Sequence, residues 1–148
     1  MEIEVKQKQT DMEMNKVSVI IESKNGNDEK LAKYIEEYNG KVQVFNENRI
    51  KTVPFKEVIK FYCQNKINYC KTEEKTYIVR KPLYELENIA SCFVRASKKT
   101  IVNLDHVIET ESTGIGGCII FKLSDGTEER VARRRKNKVL KAMKERCN

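Results

Sequence analysis

FVRASKKTIVNLDHV, residues 93–107, sets two apolar pairs, Phe93-Val94 and Ile101-Val102, on either side of a polar, basic stretch. Further on, IIFKLSDGTEERV (Ile119–Val131) reads as strand, turn and strand, and ARRRKNKVLKAM (Ala132–Met143) follows as a dense basic segment. Basic clusters bracket apolar strands here. A compact fold needs that alternation if it is to present two separated loops to a phosphate backbone.

The strand signal extends over most of the 148 residues. Val17, Val19 and Ile21 alternate, as do Val42 and Val44, Phe61 and Cys63, Tyr77 and Val79, and Ile119, Phe121 and Leu123. That period of two turns one face inward, so the chain is expected to be mainly β with short helices. Leu31, Tyr34, Ile35 and Tyr38 have helical spacing, with Asn27 or Asp28 as N-cap and Gly40 just past the end. Pro82 suits the first position of a second helix carrying Leu83, Leu86 and Ala90. A third is expected from about Arg133 to Lys144, with Val139, Leu140 and Met143 as its apolar edge. Asp125-Gly126 signals a two-residue hairpin turn, and Glu73-Glu74-Lys75 separates another pair of strands. Leu83, Leu86, Phe93, Ile101, Val102, Ile120 and Phe121 are assigned to the core.

Charge is unevenly spread. Residues 1–50 hold 8 Lys+Arg against 10 Asp+Glu, and residues 51–148 hold 21 against 12. Between Arg130 and Arg146 there are nine basic residues and one acid, Glu145. Such a block is either a solvated helix face or a footprint for nucleic acid or anionic lipid. A soft boundary is expected near Asn39-Gly40, dividing a strand-helix extension (residues 1–40) from a basic domain (residues 41–148). No apolar run reaches the length of a membrane span and no leader precedes the first strand, so a cytoplasmic site of action is expected. Five cysteines without a C-x-x-C pair fit reduced thiols, mostly buried.

Enzyme chemistry has little support. His106, the one histidine, follows Asp105, and a surface or helix-end role is expected for it, because a general base needs a positioned partner. Gly114, Gly116 and Gly117 precede a strand where a phosphate loop would precede a helix, so a hairpin tip is expected. No ligand cluster has metal spacing. Neither catalysis, cofactor, metal nor a small-molecule substrate is expected.

From about Val42 to Met143 the chain resembles the LytTR family of bacterial DNA-binding domains. The resemblance rests on the order of RKPLYELENI (Arg80–Ile89), FVRASKKTIVNL (Phe93–Leu104), IIFKLSDG (Ile119–Gly126) and VARRRKNKVLK (Val131–Lys141). It implies about ten short strands in small sheets, whose inter-strand loops enter successive major grooves of a promoter direct repeat, commonly as a homodimer on double-stranded DNA. It implies Lys98 as the base reader of a first loop, with Arg95 and Lys99 on phosphate or shaping the loop. Arg134 becomes the reader of a second loop, flanked by Arg133, Arg135 and Lys138. A third contact maps to Gln64, Asn65, Lys66 and Asn68. Many relatives carry His-Arg-Ser or His-Asn-Ser at Ser97-Lys98-Lys99, and Ser-Arg-Arg-Tyr at Ala132–Arg135, so this chain exchanges polar and aromatic groups for charge.

Arg suits the O6/N7 edge of guanine bidentately and Lys as a point charge, at about 1–3 kcal/mol per good contact. Read as an internal group, Arg95 is instead a salt-bridge partner holding its loop, and Asn103 caps the short segment after it. Residues 1–40 are too few for a doubly wound receiver domain, so a receiverless regulator is expected. It would be controlled by abundance, by dimerisation through residues 1–40, or by a membrane-bound restraining protein of the kind that accompanies short relatives. The competing reading is a nonspecific basic module for RNA or an anionic membrane surface.

Overall fold

The computed structural model describes residues 2–8, 16–22, 40–114 and 117–147. The chain forms two compact units, residues 1–36 and 37–148. In the first, β1 (Glu2–Lys8) pairs antiparallel with β2 (Lys16–Glu22), Glu2 opposite Glu22, Val5 opposite Val19 and Lys8 opposite Lys16. The alternation of Val17, Val19 and Ile21 accordingly runs along a strand. The helix expected over Leu31–Tyr38 lies outside the described residues.

The second unit holds β3 (Lys41–Asn46), β4 (Arg49–Pro54), β5 (Lys60–Gln64), β6 (Ile67–Lys71), β7 (Thr76–Val79), β8 (Phe93–Ser97), β9 (Thr100–Asn103), β10 (Val107–Thr113), β11 (Cys118–Leu123) and β12 (Glu128–Arg130). These ten short strands make one seven-stranded antiparallel sheet in the order β4-β3-β7-β6-β5-β9-β8 and one three-stranded sheet, β10-β11-β12. Helix is confined to short pieces. α1 spans Leu83–Leu86 and α2 spans Lys136–Cys147, with single 3-10 turns at Phe55–Glu57, Leu104–His106 and Arg133–Arg135.

The consecutive apolar pairs in the opening stretch have a direct structural cause. Phe93 and Ile101 face one core, with Phe61, Cys70, Val79, Leu83 and Leu86. Val94 and Val102 face another, with Ile59, Phe121, Leu123, Val131 and Val139. Strands β8 and β9 are thus buried on both faces, which is why their sequence is not a simple alternation. Full burial of such side chains contributes roughly 1.5–3 kcal/mol each. The turn between β8 and β9 is therefore anchored at its base by two cores.

The second core forms where the three-stranded sheet and α2 cover the β8-β9 end of the larger sheet. Two ion pairs clasp the sheets together there: Lys60 Nζ lies 2.8 Å from Glu129 Oε1, and Lys71 Nζ lies 2.6 Å from Asp125 Oδ2. Beyond the clasp, the same face carries a row of directly paired residues, Ile50, Phe45, Ile78, Tyr69 and Tyr62 on successive strands. Tyr62 stacks on Tyr69 at 5.3 Å, and the Arg80 guanidinium lies 4.1 Å from the Phe45 ring centre.

Several expectations are corrected. Ile120 is not core: Ile119 and Phe121 point inward, so the pleat turns Ile120 to the half-exposed face. The β11-β12 loop has three residues, Ser124, Asp125 and Gly126, between Leu123 and Thr127, whose backbones bond across it at 2.9 Å. Gly126 takes φ +85 and the Asp125 carboxylate accepts from the Thr127 amide and hydroxyl, a local closure that two residues could not make. Pro82 is the N-cap rather than the first helical residue, because its ψ of 155 is extended. α1 ends before Ala90, which is buried on the loop. The Arg133–Arg135 segment is a 3-10 turn, and the last helix begins only at Lys136.

Cys70 and Cys92 are buried, and Cys63 and Cys118 are half-buried. Desolvation pushes the Cys70 thiol up to about 12, so it behaves as a small apolar side chain. His106 is a structural residue. Its Nε2 donates to the Lys56 carbonyl at 2.6 Å and its Nδ1 lies 2.8 Å from the Ser124 hydroxyl, so both ring nitrogens are occupied.

Candidate functional site

Three loops meet at one end of the seven-stranded sheet. The β8-β9 turn presents Lys98 and Lys99, both exposed. Its register shifts between Arg95 and Ser97, leaving Ala96 bulged. A bulge increases twist and re-aims the strand end. The freed Ala96 carbonyl accepts from the Ala132 amide at 2.7 Å, which seats the Arg133–Arg135 turn against the bulge. On the other side, the Cys63 amide donates to the Lys99 carbonyl at 2.9 Å and so brings the end of β5 beside the same turn. Two backbone hydrogen bonds therefore tie the β5-β6 hairpin, the β8-β9 turn and the arginine turn into a row.

Each loop has its own local cause. In the β5-β6 turn, Asn65 and Lys66 both have positive φ, 53 and 65, the geometry of a two-residue I′ hairpin. Asn tolerates it, whereas Lys is there against its preference. Gln64, Asn65 and Lys66 are exposed. Asn68 is not at the tip: its amide donates to the Lys81 carbonyl at 3.0 Å.

Arg95 turns inward. Its Nε donates to the Ser97 carbonyl at 3.1 Å, its NH2 group to the Lys98 carbonyl at 2.6 Å, and its NH1 lies 3.7 Å from Glu87 Oε2. It braces the backbone from which Lys98 projects, which leaves Lys98 and Lys99 as the exposed cations of that turn.

Arg133 and Arg134 are exposed, and Arg135 is half-buried. Lys138, one turn into α2, is exposed and lines a shallow cavity of about 110 Å³ with Arg95, Glu87 and Val139. Val139 sits in the second core and holds this end of α2 against the sheet. The Asn103 side chain, which the sequence places as a cap, accepts from the Asp105 amide at 2.9 Å. It also donates to the carbonyls of Phe55 and Val58 at 3.1 and 2.7 Å while fully buried.

Sequence reading did not single out Arg130 and Lys136. They line a cavity of about 220 Å³ with Arg133, beside Gly117 and Cys118. Arg130 Nε donates to Cys118 Sγ at 2.8 Å. A Cβ on Gly117 would lie 2.4 Å from Lys136 Nζ, the far end of a side chain that can shift, so it is the φ of +58 that favours glycine there. The density of the Arg130–Arg146 block was the available signal. It could not show which members converge.

Chemically, the row is a set of exposed hydrogen-bond donors on short, backbone-anchored loops, with cations to either side. Nothing in it resembles a nucleophile with a base, and no group of metal-binding side chains occurs among the described residues. No helix among them is long and apolar enough to cross a membrane.

Comparison with known proteins agrees with the geometry. The family model of the LytTr DNA-binding domain matches residues 48–144. Among solved structures, the LytTr DNA-binding domain of a Bacillus cereus protein described as a methyl-accepting/DNA response regulator superposes with a TM-score of 0.64 at 21% identity. The match covers 70% of this chain and 95% of that one, a likeness of fold. No curated protein matches by sequence.

Proposed function

Since the chain belongs to the LytTR family of DNA-binding domains, we propose that it is a sequence-specific transcription regulator that inserts its inter-strand loops into successive major grooves of a promoter direct repeat. Lys98 reads a base from the β8-β9 turn and Arg134 reads one from the turn before α2. Lys99, Arg133, Arg135 and Lys138 hold phosphates, and Lys66 adds a contact from the β5-β6 hairpin. Arg95 acts through the loop it braces. The observation that carries the reading is the side-by-side placement of the three basic loops through the Cys63–Lys99 and Ala132–Ala96 backbone hydrogen bonds. Base edges are read by such donors, and the surrounding cations fix register.

The test is selection of bound sequences from a random duplex library at about 150 mM salt, where purely electrostatic binding is weakened. The expected product is a pair of short repeats about one helical turn apart. Arg134→Ala and Lys98→Ala then relax discrimination at particular base pairs, by about 1–3 kcal/mol each. Lys138→Ala weakens all sequences alike. If no motif is enriched, or polyanions of any sequence compete equally, the protein is a nonspecific basic module instead.

A further inference from the structure

We infer that the cavity at the start of α2 is a binding site for a phosphate group, held by Arg130, Arg133 and Lys136. Its volume is about 220 Å³, and Thr113, Ile119 and Val131 form part of its wall. Of the described residues that line it, three are cationic and none is acidic. The chain as a whole has 22 Asp and Glu to 29 Lys and Arg, so a cavity formed by chance would collect both signs. The cavity lined by Lys51, Lys56, Glu57, Glu73 and Glu74 does collect both. Gathering three like charges around one concave space raises the potential inside it, because low-dielectric walls focus the field. An anion there relieves the repulsion.

The make-up of the set selects the anion. Arg130 comes from β12, Arg133 from the 3-10 turn and Lys136 from the first position of α2, so the donors belong to three elements. A planar carboxylate is satisfied by one guanidinium fork, whereas a tetrahedral phosphate offers oxygens to several donors at once. The Arg130 fork is oriented before any ligand arrives: its Nε donates to Cys118 Sγ at 2.8 Å, which leaves the terminal nitrogens for an anion. α2 adds the positive end of its dipole at Lys136. A DNA strand flanking the repeat and a free phosphorylated small molecule present the same oxygens to this set. Either occupant is a close neighbour of the proposed reader Arg134, which shares its turn with Arg133.

The first measurements use the full chain without DNA, so they stand or fall separately from the DNA-binding reading. Calorimetric titration with inorganic phosphate at low ionic strength is expected to show one site. Arg130→Gln and Lys136→Gln are each expected to weaken it about tenfold or more, the loss of one hydrogen bond to a charged group. Lys141 is exposed on α2 outside the cavity lining. Lys141→Gln removes the same charge there and should leave the affinity within about twofold. Cys118 gives a readout that needs no substitution. It is half-buried in the cavity wall, so saturating phosphate is expected to slow its alkylation by iodoacetamide, located by mass spectrometry, while Cys63, outside the cavity, keeps its rate. A second arm, the salt dependence of binding to duplex DNA, identifies the source of the phosphate. If a strand fills the cavity, Arg130→Gln and Lys136→Gln each lower the slope by about 0.9, and inorganic phosphate competes with DNA. If a free ligand fills it, the slopes stay native and the DNA-bound chain still takes up phosphate. No phosphate binding by the native chain, equal losses in Lys141→Gln and the two cavity variants, or an unprotected Cys118 would each overturn the inference.

Discussion

Two hydrogen bonds from the Arg95 guanidinium, to the Ser97 and Lys98 carbonyls, hold the backbone that carries the proposed base reader. Removing them frees the turn and, on the proposed reading, removes no DNA contact. Arg95→Ala is therefore expected to lower stability by about 1–2 kcal/mol, read by chemical denaturation. It should weaken specific binding while leaving the slope of log K against log salt unchanged, since that slope counts phosphate contacts. A slope reduced by about one would mean that Arg95 touches phosphate after all. Asn103 is a second residue whose importance is internal. It satisfies the amide of Asp105 and the carbonyls of Phe55 and Val58 with no exposure. Asn103→Ala leaves those buried groups unpaired and is expected to cost about 2–4 kcal/mol, measured as a fall in the denaturation midpoint.

Strands and turns account for how these residues are delivered. The β5-β6 turn keeps Lys66 at φ 65, where glycine would rest without strain. Lys66→Gly is expected to stabilise the isolated protein by about 0.5–1 kcal/mol, seen as a higher melting temperature. The same change should reduce the salt slope of DNA binding by about 0.9 if Lys66 holds a phosphate. A gain in stability with no change in slope would confine Lys66 to the turn. The turn types were partly legible in the sequence: Asp125-Gly126 marks a hairpin, but the loop length depends on which residues pair across it. The double-sided burial of β8 and β9 was legible only as an interruption of the alternation. Two-residue apolar pairs do not say what lies on each face.

At the scale of the whole second unit, the two sheets are held over one core by the Lys60–Glu129 and Lys71–Asp125 pairs. Burial alone would raise the Asp125 carboxyl, but hydrogen bonds from Lys71 and from the Thr127 side chain and backbone outweigh it and hold the group at about 2. A depressed folded-state value contributes stability that is complete above the unfolded carboxyl's value, near 4, and is lost as pH falls toward 2. Melting temperature is expected to fall through that window, and less steeply in Asp125→Asn, where no proton is taken up at this position. Equal pH profiles for the two proteins would remove Asp125 from the acid response. The row of Ile50, Phe45, Ile78, Tyr69 and Tyr62 belongs to this scale too, because its members come from five strands.

What the sequence determined by itself is local: the mainly β class, the positions of most strands, the basic loops and the dense cationic end. Hydrophobic period and turn chemistry act over a few residues and are written into any short stretch of chain. The tertiary structure decided what those loops have in common. Ala96 and Ala132 meet across 36 positions and Cys63 and Lys99 across another 36, through backbone groups that carry no side-chain signature. It also decided that Arg95 turns inward, that Ile120 turns outward and that Asn103 is buried. Each of these depends on partners brought by distant segments, and hydrogen-bond satisfaction inside a folded core is a property of the assembled sheets, not of the residue that completes it.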